Sequence, residues 1–288
     1  MVSPGTTNAT RPGIRTTGPR LDPDARDYID LITAAGADLG LLNEEAITKK
    51  AISDSFIERK DLYIWDDERR TYMPIWGVAA ANAICQRSLT SGTFFGGVTH
   101  GAGFVQGDGT SGYFVPSGTM GQMGISPGNA SLLRASRTED TRSSSDPVGR
   151  DGSAQGPAIL TNVFGASNQF RQNRFRFPNA TGLVSVAVSN PARGVFMGSA
   201  VSTSSRRSAF RDSAGYVDNL REDLDAGGLT SGNELAFMAG LNGANPFDFH
   251  DCENYAFMVG VGMTQTQCQN ITRIMRELGE TLTQITSP

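Results

Sequence analysis

The segment FVQGDGTSGYF at residues 104–114 has the spacing G-x-G-x-x-G at Gly107, Gly109 and Gly112. In dinucleotide-binding proteins these glycines follow a strand and open a helix, so that the pyrophosphate rests on the helix N-terminus. Here the chain continues as Tyr-Phe-Val-Pro-Ser-Gly, which indicates a short aromatic strand and a turn. Because the chain contains 34 glycines, chance matches to this spacing are expected. We therefore predict a tight turn at GDGTSG and no nucleotide cofactor.

His250 is surrounded in the sequence by residue types that can bind a metal or act in catalysis. His250 occurs in the segment FDFHDCENY, between acidic residues and Cys252, and imidazole, thiolate and carboxylate can all bind a metal. Adjacent residues of a strand point to opposite faces, so this cluster converges only around a special turn. The three cysteines, Cys85, Cys252 and Cys268, show no C-x-x-C spacing. We expect buried free thiols, no metal site and no catalytic residue.

Composition limits the classes of function. The 288 residues are 38% hydrophobic and rich in Gly, Ser, Thr, Asn and Pro, which favours many turns and short strands. The net charge of −4 argues against bulk nucleic-acid binding, and the segment FRQNRFRF is interpreted as a strand that alternates apolar and solvated residues. No apolar run approaches the roughly 18 residues of a membrane span, so no membrane insertion is predicted.

The first part of the chain divides into an arm and a helical region. Residues 1–21 have no apolar periodicity, and we expect this extended arm to be ordered only against a partner. The arm contains the assembly candidates Arg11, Arg15 and Arg20. Residues 22–88 are predicted to be helical, starting with a helix capped by Asp22 and ending with a third helix that Pro74 opens.

The remaining residues, 89–288, predict a β domain. Short apolar pieces alternate with Gly-rich turns, and residues 183–188 read as a strand that forms a hairpin with the following VFMGSAV. The chain closes with a buried strand, YAFMVGVGM, and an amphipathic helix. The pattern T-x-x-Q at Thr264 and Gln267 predicts a capping box for that helix.

Three stretches, in their order, show a resemblance to known proteins. They are DPDARDYIDLITAAGADL (22–39), FVQGDGTSGYF (104–114) and FMVGVGMTQTQCQNITRIMRELGETL (257–282). Together they resemble a family of bacteriophage virion proteins with a short helical N-terminal region and a concanavalin A-like, laminin-G-like β-sandwich. The resemblance implies a mainly β fold, a jelly-roll β-sandwich with a small helical N-terminal region and a C-terminal helix. The acid motif E-x-D-x-x-E of catalytic members of this fold does not occur in the chain.

This resemblance implies a non-enzymatic structural protein located in the virion, either a tail or head fibre or a decoration protein. It would assemble through its N-terminal region with other virion proteins and with copies of itself. The alternative is a glycan-binding module that recognises host-surface carbohydrate through aromatic and amide side chains. The candidate glycan-binding residues are Tyr113, Phe170, Asn173, Tyr216 and Asn219. A polysaccharide hydrolase is the third hypothesis.

Overall fold

The computed structural model describes most of the chain between residues 21 and 283. The described ranges are 21–126, 128–138, 145–148, 158–164, 170–176, 184–187, 193–222, 234–242, 245–247 and 249–283. For the strands between residues 145 and 187 it establishes the backbone pairing alone. The helices are α1 (Pro23–Ala34), α2 (Glu45–Asp61), α3 (Ala79–Asn82) and α4 (Gln265–Thr283).

Two antiparallel sheets dominate the described part of the chain. The strands of the larger sheet are β1 (Glu68–Tyr72), β3 (Val98–Gly101), β4 (Phe104–Gly107), β6 (Ala130–Ser136), β11 (Gly194–Ala200), β12 (Arg206–Asp212), β13 (Gly215–Arg221) and β16 (Glu253–Gly260). Their order is β13-β12-β11-β6-β16-β4-β3, and β1 also pairs with β16. The strands of the second sheet are β7 (Ser145–Val148), β8 (Ala158–Phe164), β9 (Phe170–Arg176) and β10 (Val184–Ala187), in the order β10-β9-β8-β7.

The second sheet lies against β11, β12 and β13, which makes a sandwich. Two short ribbons complete the β structure. They are the pairs β2 (Thr93–Phe95) with β5 (Tyr113–Val115) and β14 (Gly240–Asn242) with β15 (Asn245–Phe247). The prediction of a mainly β sandwich with a small helical N-terminal region and a C-terminal helix is confirmed by this pairing.

Helix α4 packs on β11, β12 and β16 on the other face of the larger sheet, so the central strands are buried on both faces. Along β16, Ala256 and Met258 contact the helix-side core, whereas Phe257 and Val259 belong to the core on the sandwich side. This alternation explains why YAFMVGVGM is almost continuously apolar. The capping box of α4 is confirmed, since Gln267 Oε1 accepts the Thr264 N–H at 3.0 Å. Among the described helices, none has the length and apolar character that a membrane crossing requires.

The N-terminal region is partly helical, as predicted, and partly strand. Asp22 caps α1 by accepting the N–H groups of Asp24 and Ala25. The third helix predicted from Pro74 is wrong, because only the four residues of α3 are helical there and β1 precedes them. The predicted hairpin is also wrong, because β10 pairs with β9, whereas β11 pairs with β6 and β12. The domain boundary at residue 88 stays a prediction, although β1 and β16 share one sheet across it.

A buried ion pair connects the helical layer to the larger sheet. Arg59 of α2 donates to Glu68 Oε2 of β1 at 2.8 Å, and both side chains are fully buried. The hydroxyl of Thr71 donates to the same carboxylate oxygen at 2.6 Å. The Arg59 guanidinium also lies over the rings of Phe56 and Trp65, at 4.6 and 5.0 Å from their centroids. The pair thus combines charge, hydrogen bonds and aromatic contacts.

We expect Glu68→Ala to lower the free energy of unfolding by about 3–5 kcal/mol, because it leaves the Arg59 charge buried without its counterion. Denaturant unfolding would measure the loss. The control is Asp54→Ala, which breaks the exposed Lys50–Asp54 pair and should cost less than about 0.5 kcal/mol. If Glu68→Ala does not fold, the double change Arg59→Met and Glu68→Leu should recover a folded protein. A loss no larger than that of the control would contradict the expectation.

Candidate functional site

The G-x-G-x-x-G segment is a turn closed by its own aspartate. Asp108 Oδ1 accepts the backbone N–H groups of Thr110, Ser111 and Gly112 at 2.8, 2.6 and 2.9 Å. Its Oδ2 accepts the Ser111 hydroxyl at 2.6 Å. The amides that could hold a phosphate in such a loop therefore bind this carboxylate instead. Strand β5 follows, so the predicted turn and aromatic strand are confirmed.

A second turn interlocks with this one. The N–H of Gly97 donates to Ser111 Oγ at 2.9 Å, and the N–H of Asp108 donates to the Gly97 carbonyl at 2.9 Å. Gly96 has a φ of 64°, and a Cβ at this position would overlap the Ser111 carbonyl. The close approach of the two turns therefore requires glycine. Together they fix the end of the β2–β5 ribbon.

The ribbon presents an aromatic platform, which consists of Phe95, Tyr113 and Phe249. Phe95 and Tyr113 are direct partners across the ribbon, and their rings stack with centroids 4.9 Å apart and planes 13° apart. The Phe249 ring lies 6.2 Å from that of Tyr113. Phe95 is 41% exposed and Tyr113 is half-buried. Because side chains alternate along a strand, the neighbouring Phe94 and Phe114 face the core while these rings face outward.

Polar groups whose pKa is shifted lie at the platform and in the turn beside it. Burial raises the pKa of Tyr113, and the charge of Glu234 raises it further, so the phenol remains a hydrogen-bond donor at neutral pH. The Ser111 hydroxyl, followed by the backbone amides of the turn, holds the pKa of Asp108 well below its ordinary range. The site therefore combines an exposed phenylalanine, a neutral phenol stacked against it and carboxylates.

The other predicted glycan-binding residues lie elsewhere. Tyr216 and Asn219 are on β13, an edge strand of the larger sheet, and their positions place them on opposite faces of that strand. Arg211 lies over the Tyr216 ring at 5.1 Å, and burial raises the pKa of this tyrosine. Tyr113, by contrast, lies on β5, in the two-stranded ribbon with β2 and outside the larger sheet. The structure thus brings neither residue to the platform.

The structure does not describe the side chains of the remaining predicted site residues. Phe170 and Asn173 lie on β9, of which the structure establishes the backbone pairing alone. Arg11, Arg15 and Arg20 lie outside the described residues. Their roles in glycan binding and assembly stay predictions.

Sequence reasoning missed Phe95, which belongs to the platform. The signal was available in the pieces TFF and YFV, whose equal length and matching aromatic positions suit a paired ribbon. It also missed that His250 and Cys252, which precede β16, contact each other. The Nδ1 of His250 lies 3.8 Å from the Cys252 sulfur, to which Arg134 donates at 3.0 Å. Both His250 and Cys252 are buried, so this cluster is out of reach of a substrate.

One motif of enzyme sites occurs in the sequence without the structure that it requires. The segment GISPG at residues 124–128 matches the nucleophile pattern G-x-S-x-G. Ser126 exchanges backbone hydrogen bonds with Asn129, and strand β6 follows where a nucleophile elbow requires a helix. Within the described ranges, no three His, Cys, Asp or Glu side chains are grouped so that they could hold a metal ion.

Comparison with known proteins gives distant similarities. A search of protein-family models finds no match, and neither does a search of curated protein sequences. Among solved structures, the chain is similar to domain 4 of AbnA, a GH43 extracellular arabinanase from Geobacillus stearothermophilus, in complex with arabinotriose. That similarity has a TM-score of 0.47 and 10% identity, and it covers 72% of this chain and 98% of that chain.

Two more structures illustrate the range of proteins with similar architecture. The CBM2 module of the evolved Dit from Lactobacillus casei BL23 phage J-1 has a TM-score of 0.36 and 8% identity, covering 59% of this chain and 81% of that chain. A GH54 α-L-arabinofuranosidase has a TM-score of 0.41 and 9% identity over 67% of this chain, which spans only 41% of that structure. Because these scores are below 0.5, the fold assignment rests on the strand pairing. The resemblance to phage virion proteins stays a prediction.

We expect Asp108→Asn to destabilise the protein at pH 7 and to lose that effect in acid. Because the pKa of Asp108 is lowered in the folded state, its ionised form stabilises the fold above the ordinary value of 3.8, and this contribution is lost as the pH falls below it. The melting temperature at pH 7 should fall by about 1–3 °C. The difference between variant and wild type should shrink as the pH falls below about 4. An equal difference in melting temperature at pH 7 and pH 3 would contradict the role of the charge. The control is Asp30→Asn, which changes an exposed aspartate outside this turn.

Proposed function

We propose that the chain is a bacteriophage virion structural protein whose sandwich binds host-surface carbohydrate through the aromatic platform. The observation that carries the carbohydrate part is the stacked, outward-facing pair of Phe95 and Tyr113. Sugar rings have an apolar face of C–H groups, which packs against aromatic rings, and hydroxyl groups that need polar partners. An exposed aromatic pair held rigidly by two interlocked turns suits the first requirement.

The groups around the pair suit the second requirement. The Tyr113 hydroxyl is a donor at neutral pH, and Ser111 and the carboxylates of Asp108 and Glu234 are nearby. Several of the acceptor positions of Asp108 are used within the turn, so this residue orients the loop more than it binds ligand. The platform is preorganised, because its rings and turns are fixed by contacts that do not need the ligand.

The virion role is supported by the sequence. Three stretches resemble a phage virion family, and residues 1–20 contain Arg11, Arg15 and Arg20 but no acidic residue. A cationic arm that cannot bury enough apolar surface to fold alone suits attachment to a neighbouring subunit. In this proposal the protein is a fibre or decoration component without enzymatic activity. It assembles through its N-terminal region and exposes the platform to the host.

Binding to carbohydrate should depend on the platform. We expect Phe95→Ala and Tyr113→Ala each to weaken binding by about tenfold, which corresponds to about 1.4 kcal/mol. Host-surface polysaccharides would be screened on a glycan array, and the affinity for the best of them measured by calorimetry. Ile57→Ala, which removes an exposed apolar side chain outside the platform, is the control and should bind as the wild type does. No binding of any host glycan at millimolar concentration would refute the carbohydrate part, and turnover of the polysaccharide would favour the hydrolase.

Assembly should depend on the arm. Deletion of residues 2–20 should leave the melting temperature within about 1–2 °C of wild type but reduce incorporation into virions, because the arm binds a partner rather than its own sandwich. Antibody labelling of particles, seen by electron microscopy, would measure incorporation. High salt should reduce the incorporation of the wild type, because it screens the arginines of the arm. The protein appearing in lysates but never on particles would refute the virion role.

A further inference from the structure

Tyr63 is a highly exposed aromatic residue in a backbone conformation that favours glycine. It follows α2 with a φ of 55° and is 82% exposed. The N–H of Tyr63 donates to the Lys60 carbonyl, and the N–H of Ile64 donates to the Arg59 carbonyl, which is the pattern of a Schellman motif. The residue at this position is usually glycine, since a Cβ disfavours left-handed backbone. The fold gains neither burial nor relaxed backbone from this tyrosine.

Other exposed apolar side chains lie at the same end of the larger sheet. Val201 is 50% exposed and Leu220 is 39% exposed. They line a cavity of about 220 Å³ beside the first turn of α4, together with Arg207, Glu222, Met263 and Gln265. We name the surface formed by Tyr63, Val201, Leu220 and this cavity the α4-end surface.

Hydrogen bonds connect the two sides of the α4-end surface. Gln267 donates to the Tyr63 carbonyl at 3.2 Å and to Asp67 Oδ2 at 2.6 Å. The Asp67 carbonyl accepts the N–H of Val261 at 2.9 Å. The strand pairing places Leu220 of β13 and Glu68 of β1 at the same end of the larger sheet. Strands β12, β11, β6 and β16 lie between them. Five strand spacings of about 4.8 Å make this end of the sheet roughly 24 Å wide.

The α4-end surface has carboxylates that the arginines of the arm can pair with. Asp61, Asp66 and Glu222 are exposed on it, and Asp66 also lies 3.6 Å from the guanidinium of Arg87. The first twenty residues, in contrast, contain three arginines and no acidic residue. Attraction between these segments would add to the apolar contact with the exposed side chains.

The arm begins beside α2, the helix that ends just before Tyr63. The N–H of Asp22 donates to Ser53 Oγ at 2.8 Å, and Lys60 donates to the Asp22 carboxylate at 2.8 Å. Ser53 is ten residues before Tyr63, so the arm starts about 15 Å from the exposed tyrosine along that helix. Twenty extended residues can span up to about 66 Å, well beyond the width of the surface.

We propose that the α4-end surface binds residues 1–20 of a second copy of this chain. The inference rests on the proposed assembly through the arm and names the surface that receives it. Two copies that face each other through this surface, related by a two-fold axis, bring the surface of each within reach of the other's arm. Tyr63, Val201 and Leu220 supply the apolar contact, and the acidic residues pair with the arginines of the arm.

Sedimentation equilibrium of the full chain and its variants tests this proposal. Wild type should dimerise with concentration, and Tyr63→Gly should weaken dimerisation at least tenfold while raising the melting temperature by about 1–3 °C, because glycine suits the left-handed backbone. Arg11→Glu with Arg15→Glu should weaken dimerisation to a similar extent. Leu89→Gly is the matched control, since Leu89 has a φ of 56° and is 37% exposed. It should raise the melting temperature and leave dimerisation unchanged.

Each other outcome overturns the proposal in a distinct way. If deleting residues 2–20 abolishes association but Tyr63→Gly does not, the arm binds elsewhere, and the proposed assembly role stands without this surface. If association survives the deletion but not Tyr63→Gly, the surface meets a second copy without the arm. If the full chain is monomeric and the deletion lowers its melting temperature by many degrees, the arm packs on its own chain. If the deletion affects neither association nor incorporation into virions, the proposed assembly role itself fails.

Discussion

The buried Arg59–Glu68 pair is the interaction on which the arrangement of layers depends. Two charges without exposure to water are stable only when each has the other within hydrogen-bond distance and further polar or aromatic contacts. This requirement fixes where α2 lies relative to β1, because a small shift would separate them. Since β1 pairs with β16, the position of the helical layer is thereby tied to the centre of the larger sheet.

Strand β16 connects the other parts of the larger sheet. It pairs with β6 along its length, with β4 near its start and with β1 near its end, and both of its faces are buried. The aromatic platform lies near its start, where Phe249 precedes the strand. The α4-end surface lies where the strand ends and the capped helix begins. Eight residues of strand separate the two surfaces by about 26 Å, so the proposed ligand and the proposed second copy would not compete for space.

The rigidity of the platform has a local origin. Asp108 binds three successive amides of its own turn, and Gly96 and Gly97 allow the neighbouring turn to approach it closely. The two outward rings are therefore held without help from a ligand. By contrast, the cluster of His250, Cys252 and Arg134 is buried within the protein. Residue types that suggest chemistry in the sequence thus contribute to packing, whereas aromatic residues within short strands form the exposed site.

The sequence by itself determined the elements whose signals are local. Helix α1 follows from the Asp22 cap and its apolar spacing, α4 follows from its capping box, and the GDGTSG turn follows from its glycines. Tertiary structure decided the pairings between distant residues, such as Glu68 with Gly260 and Phe95 with Tyr113. No local pattern specifies a strand's partner, because pairing depends on which surfaces pack together after the chain has turned. Only that packing placed β1 in the larger sheet and Phe95 beside the predicted Tyr113.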